Sequence, residues 1–423
     1  NFYSDFICYD FVKNTIQLIT DNSRLADKYN SYNEDFVLGT IGDYNIHLNA
    51  ATFFSEDIIA TILKYDNLEG GKIPHSPIYV LYFMFMQNLF GDVIGRLINM
   101  HFILLLPYFV YLSLKLRFNF KNDDIKKLLP VIFFISPYFR AGAFWIDDNI
   151  IGLTFLTISF YFYLRFEKNE NNDLNLIFLH VLFIALASYF RPIYCIFSVY
   201  FFFNFYTKLQ LTKKFFYYNI FNLILSAPAF YFIVILGQNE WFRTWLFRTN
   251  NITTFSLALS VLFFYTIPFI ICNFNKLRLI TIDKKILLFS ILYLIILLLN
   301  FNYTVPYSGG IFYKISKQLF SNNYLFYFIS FLSFYYLLLL FKKLSGIKYF
   351  FLDLILLVLL IFMEVDGVIY HEAYDPLFYI LSFLFIKNTL YSETIKNLSF
   401  KSINILFIFS ISFLIISAFK SYV

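Results

Sequence analysis

Residues 284–303 read KKILLFSILYLIILLLNFNY, and this stretch decides the class of the fold. Two lysines open it, and the eighteen residues 286–303 carry no charge. A helix that is apolar on every face belongs in a large core or in a bilayer. About 20 such residues cross a hydrocarbon layer of ~30 Å. The paired lysines mark the point where the chain returns to water.

The same alternation of apolar run and polar break repeats from Pro77 to the C-terminus. The expected spans are roughly 95–116, 127–140, 150–166, 174–190, 193–207, 216–237, 252–275, 285–303, 321–341, 347–363, 374–388 and 401–419, about twelve in all. Hydrophobic residues make up 60% and charged residues 14%, too apolar a mixture for a soluble chain of this length to bury. The fold class expected is all-α, a polytopic transmembrane helical bundle. Residues 1–76 differ: they are polar and acidic, with no run of spanning length. The run 77–90 is too short to cross comfortably and reads as an interfacial or re-entrant helix. Three regions are expected: an N-terminal external loop with its interfacial helix (1–94), a transmembrane module (95–275) and C-terminal transmembrane helices (276–423).

Basic residues set the orientation. Lys115, Arg117, Lys121, Lys126 and Lys127 share one set of loops with Arg165, Lys168, Lys208, Lys213 and Lys214. The set continues through Lys276, Arg278, Lys284, Lys285, Lys342, Lys343, Lys348, Lys387, Lys396 and Lys401. These loops are expected in the cytoplasm, which places 1–76 and the alternate loops outside. That parity holds only if 77–90 does not cross. It also calls for a spanning helix before Asn1 if the protein starts in the cytoplasm. The expected location is a bacterial inner membrane. Cys8, Cys195 and Cys272 are scattered, so neither a disulfide framework nor a cysteine metal site is expected. No Gly-rich phosphate loop is present, and neither a nucleotide nor a nucleic-acid partner is implied.

The alternate loops hold the costly polar residues. They include Asp43 with His47, Arg140 before Asp147 and Asp148, Arg191 before Pro192, and Glu364 and Asp366 ahead of His371, Glu372, Tyr374 and Asp375. Ionisable groups near lipid depth usually face a cavity or a partner. Simpler roles exist for each. Asp43 stands in a polar segment where an aspartate is commonly just solvated. One of the pair Asp147 and Asp148 suits the N-cap of the helix that starts near Ile150, which leaves the other unexplained. Arg191 has a stem long enough to snorkel to the interface, and His371 and Glu372 fit a wet loop. Read together, the groups would converge on one external cavity. Its carboxylates could act as a base or bind a divalent cation such as Mg or Mn, and its arginines would pair with phosphate. The chemistry suggested is transfer of a group from a lipid-linked phosphate.

The order of these fragments resembles the GT-C superfamily of polyprenyl-phosphate-sugar glycosyltransferases. The fragments are Asp43, then Lys72-Ile73-Pro74-His75-Ser76-Pro77-Ile78-Tyr79, then Gly95-Arg96-Leu97, then Asp147-Asp148. The likeness is greatest to the dolichol-pathway terminal alpha-1,2-glucosyltransferase family. There an Asp precedes a His by four residues, as Asp43 precedes His47. A Pro-Pro pair is here Ser76-Pro77, a Tyr-Thr-Asp is here Trp145-Ile146-Asp147, and a Phe-Arg-Gln is here Phe190-Arg191-Pro192. The likeness covers about residues 40–200.

The resemblance implies a GT-C-like fold and an inverting hexosyltransferase. Its donor would be a polyprenyl phosphate sugar, and its acceptor a glycan or lipid-linked molecule. Asp43 would be the base, and Asp147 or Asp148 would bind acceptor hydroxyls or a metal. Arg191, and after it Arg96, Arg140 and Lys314, would meet the phosphate. His47, His75, Tyr79, Glu372 and Tyr374 would line the substrate site. The alternatives are a flippase or transporter of lipid-linked glycans and a polysaccharide polymerase. A transporter should carry charges at mid-helix, and a polymerase should carry its large external loop late in the chain.

Overall fold

A computed structural model describes residues 38–67, 75–118, 124–170, 173–238, 252–274, 283–303, 308–344, 347–363 and 369–420. Every regular element among them is helical. The chain begins with α1 (Leu38–Glu56) and α2 (Ile58–Leu63), followed by α3 (Pro77–Ile103) and α4 (Leu105–Phe118). After α5 (Asp124–Lys127) and a 3-10 turn (Leu129–Ile135) come α6 (Pro137–Trp145), α7 (Asp148–Lys168) and α8 (Leu174–Phe190). A second 3-10 turn (Pro192–Ile196) leads to α9 (Phe197–Leu209), α10 (Lys213–Phe230) and α11 (Ile252–Cys272). The C-terminal part holds α12 (Lys284–Asn300), α13 (Gly310–Phe320), α14 (Tyr324–Leu344) and α15 (Ile347–Ile361). A third 3-10 turn (His371–Ala373) precedes α16 (Leu377–Leu384), α17 (Thr389–Lys396) and α18 (Phe400–Lys420).

Six stretches among the described residues are long and apolar enough to cross a membrane: Pro77–Phe118, Asp148–Lys168, Lys213–Ile235, Ile252–Cys272, Tyr324–Lys342 and Phe400–Ser417. Leu174–Phe190 and Phe350–Ile361 are shorter apolar helices. Several segments expected as spans form shorter pieces. The segment 127–140 breaks at Ser136, whose hydroxyl caps α6 by accepting from Phe139 N at 3.0 Å. Proline at the first position of α6 favours that start. The segment 374–388 contains only the eight-residue α16, every residue of which is buried. Helices enclosed by others have no bilayer thickness to match.

The first crossing-length stretch is not one straight rod. Gly91 has φ 70° and ψ 175°, outside helical space, and the chain folds back there. The Tyr82 hydroxyl donates to Asn99 Oδ1 at 3.1 Å. In an unbroken helix those residues would stand ~25 Å apart along the axis. Residues 77–90 therefore form a short arm lying back along 92–103, distinct from the longer rod that continues into α4.

Large apolar side chains face outward on several helices. On α10, Leu223 is 69% and Ile224 62% exposed, and α12 likewise presents Leu288, Phe289 and Leu299. In water such faces would be strongly unfavourable, whereas in lipid tails they lose little. The chain is a helical membrane protein. One buried apolar cluster runs from Ala50 on α1 to Phe413 on α18 and ties the three regions together.

Candidate functional site

The α6–α7 connection builds the site. Ile146 adopts the left-handed conformation (φ 59°, ψ 50°), which a β-branched residue rarely takes. Its carbonyl accepts from the Tyr79 hydroxyl at 2.7 Å, which anchors the turn to α3. The tight turn separates the roles of the next two carboxylates. Asp147 becomes the N-cap of α7, accepting from Ile150 N at 3.3 Å. Asp148 turns inward and is 1% exposed.

Asp148 meets two cationic or imidazole partners. His75 Nδ1 donates to Asp148 Oδ2 at 2.9 Å. Arg191, just past the end of α8, donates through Nη1 to both carboxylate oxygens at 3.3 and 3.4 Å. This close approach depends on Gly152, one turn along α7. A Cβ there would lie 3.1 Å from Arg191 Cβ and 3.0 Å from the Tyr194 ring. A buried carboxylate is tolerable because it is paired and hydrogen-bonded.

His47 of α1 closes the cluster. Its ring meets the His75 ring edge-on at a centroid distance of 4.2 Å and the Tyr79 ring at 4.7 Å. Burial, then the neighbouring His75, pushes the His47 pKa well below its ordinary value, with Asp148 opposing the shift. His47 is therefore neutral at pH 7. His47 Nδ1 and His75 Nε2 are buried without a hydrogen-bond partner among the described residues. Such atoms cost about 1–3 kcal/mol each unless a ligand or water meets them. With His75 Nδ1 turned to Asp148, its Nε2 is the ring atom left to meet a hydroxyl group, which can donate or accept.

The backbone of α1 places Asp43 one helical turn before His47, on the same face. The Asp43 side chain lies outside the described residues, as do Asp35, Lys72, Pro74, Glu364 and Asp366. Asn149 extends the site toward the C-terminal region. Its Nδ2 donates to the Glu372 carbonyl at 3.0 Å, while the Tyr194 hydroxyl donates to Asn149 Oδ1. Tyr374, next in that loop, is fully buried.

The remaining expected residues lie elsewhere. Arg96 forms an ion pair with Asp92 one turn away and stacks on Phe144 and Trp145, 5.0 and 4.9 Å from their centroids. Arg140 is on the exposed face of α6, and Lys314 is half-buried on α13. Among the described residues, no three His, Cys, Asp or Glu side chains are disposed to hold a metal ion. The described candidates are two imidazoles and a carboxylate already bound to arginine, not the oxygen set that Mg2+ takes.

His371, which reads as a wet-loop residue, is instead a buried hub. Its Nδ1 lies 3.0 Å from the Tyr265 hydroxyl of α11, and its Nε2 accepts from Ile311 N of α13 at 3.0 Å. Asp353 on α15 is also buried and accepts from Lys387 N at 2.8 Å. A lone aspartate inside the run FLDLIL was the signal for it. No family model, curated protein or solved structure matches the chain.

Proposed function

We propose that this chain is a GT-C-type membrane glycosyltransferase acting on a polyprenyl-phosphate sugar at the outer face of a bacterial inner membrane. The observation that supports it is the convergence of four separate sequence fragments. His47, His75, Asp148 and Arg191 come from four separate stretches of the chain and meet in one cluster. In this reading the short buried helices count as passes, for about a dozen in all.

The chemistry is a direct displacement. Asp43 takes the proton from an acceptor hydroxyl, whose oxygen bonds to the anomeric carbon from the face opposite the phosphate. The bond from that carbon to the phosphate oxygen breaks, polyprenyl phosphate leaves with the electron pair, and configuration inverts. Phosphate is a good leaving group, so no strong general acid is needed, and no step runs through Mg or Mn. Arg191 meets the phosphate with its planar fork, held in direction by Asp148. The imidazole nitrogens of His47 and His75 that have no partner among the described residues receive sugar hydroxyls. Tyr79 supports the turn that carries Asp148.

The test is sugar transfer from a polyprenyl-phosphate donor to a glycan or lipid-linked acceptor in liposomes. Asp43→Asn should lower turnover at least ~10²-fold, the scale of general-base loss. Arg191→Lys should raise the donor KM, because a point charge does not replace the fork. Near-normal turnover in Asp43→Asn would remove it as the base. No sugar transfer by the wild type, with movement of a lipid-linked glycan across the liposome bilayer, would favour a transporter of lipid-linked glycans.

A further inference from the structure

A cavity of about 250 Å³, lined by charged and apolar side chains together, opens at the other end of α7. Its wall includes Arg117 from the last turn of α4, Glu167 and Lys168 from the last turn of α7, Tyr200 of α9, and Lys387 after α16. Glu167 and Asp148 are nineteen residues apart on one helix, hence ~28 Å along its axis. That is close to one hydrocarbon thickness. The cavity therefore lies at the membrane boundary opposite the His75–Asp148 cluster.

Its charge is unbalanced. On the lining three cations, Arg117, Lys168 and Lys387, face one carboxylate, Glu167, and Asp353 stands behind the wall and acts on Arg117, which leaves a net charge of +1. The carboxylate is engaged by Lys387, with Nζ 3.1 Å from Oε1. Arg117 is fixed in place, donating through Nη1 to the Phe383 carbonyl at 2.8 Å and through Nη2 to the Ile386 carbonyl at 2.7 Å. Two of its five N–H groups are so used. Leu116, Leu164, Leu384 and Phe385 share the wall with these charges, so the space offers both cations and apolar surface.

We infer that this cavity binds the phosphate-bearing headgroup of an anionic lipid in the leaflet opposite the candidate catalytic site. A phosphate group complements the cations of the wall, and the start of the acyl chains meets its apolar residues. Basic pockets between membrane helices commonly hold lipid headgroups in this way. The inference does not depend on the glycosyltransferase reading.

The test uses the purified full-length protein and native mass spectrometry after equilibration in mixed phosphatidylglycerol and phosphatidylcholine micelles. The wild type should retain phosphatidylglycerol selectively. Lys168→Gln should weaken that retention about fivefold and Lys168→Glu about thirtyfold, as expected for one and two units of charge near a membrane surface. Lys213→Glu, an exposed lysine on α10, should leave it unchanged. Equal loss in Lys213→Glu, or equal retention in both Lys168 variants, would overturn the site. Inorganic phosphate separates two sources of the same chemistry. Resistance of bound lipid to millimolar phosphate supports the lipid headgroup. Its displacement, with phosphate alone stabilising the wild type but not Lys168→Glu, would replace the lipid by a free phosphate anion.

Discussion

Asp147 and Asp148 are adjacent and chemically identical, yet one caps a helix and the other holds an arginine and a histidine. The sequence shows that a cap accounts for only one of two carboxylates. It does not show which, because the answer depends on Ile146 taking a left-handed conformation that isoleucine disfavours. His47 has a consequence that can be measured. Its folded pKa lies well below 6.5, first because of burial and then because of His75. Above about pH 6.5 neither the folded nor the unfolded histidine is charged, and the group makes no difference to stability. Below that pH the unfolded chain binds a proton that the folded chain refuses, so stability falls as acid is added. Thermal stability of the wild type in detergent should drop between pH 7.5 and 5 by more than that of His47→Gln. A wild-type advantage that stays constant across that range would show that His47 does not titrate on unfolding.

The elements follow from local rules that are uneven in how plainly they read. The end of α7 carries Lys168, and Lys208 from α9 reaches it, donating to the carbonyls of Phe166, Glu167 and Asn169 at 2.5, 2.8 and 3.1 Å. A cation at a helix C-terminus satisfies carbonyls that have no helical partner and complements the dipole. Basic residues at these positions could be read as cytoplasmic markers, but which lysine reaches which carbonyl is set by tertiary packing. The run 77–90 was legible as a separate short helix because its length fell short of a span, and Gly91 supplies the break. Its backbone conformation there is essentially reserved for glycine. No heavy atom lies within 4 Å of where a Cβ would sit, so the cost of Gly91→Ala is backbone strain alone. That substitution should destabilise the protein by about 1–3 kcal/mol, read as a shift in the detergent unfolding transition. Unchanged stability would mean the reversal does not need the glycine. Segments such as 127–140 take a more broken form than their composition suggests, because an apolar run inside a bundle has the same composition as one crossing it. Only burial separates them.

At the scale of the whole molecule, polar groups gather at two ends. Lys208 touches the end of α7, Lys387 pairs with Glu167, Arg117 binds carbonyls beside α16, and Lys342 pairs with Asp283. At the other end, the turn at 146–149 meets Arg191 and the loop at 369–373, which in turn holds the start of α13. The alternation of basic and less basic loops is thus matched by contacts, and between the ends α10 and α12 expose apolar faces to lipid. The positive-inside rule predicts the cytoplasm for the lysine-rich end. Two positions report on opposite ends, and both are exposed: Ser55 on α1 and Lys213 at the start of α10. With Cys8, Cys195 and Cys272 replaced, a single cysteine at either position can be probed with a membrane-impermeant thiol reagent. Position 55 should label in intact cells, and position 213 only after permeabilisation. The opposite pattern would place the His75–Asp148 cluster in the cytoplasm, where a polyprenyl-phosphate sugar presented to the outer face could not reach it. Labelling of both positions in intact cells would put the two on one side and break the alternation on which the reading of 77–90 as a non-crossing arm depends.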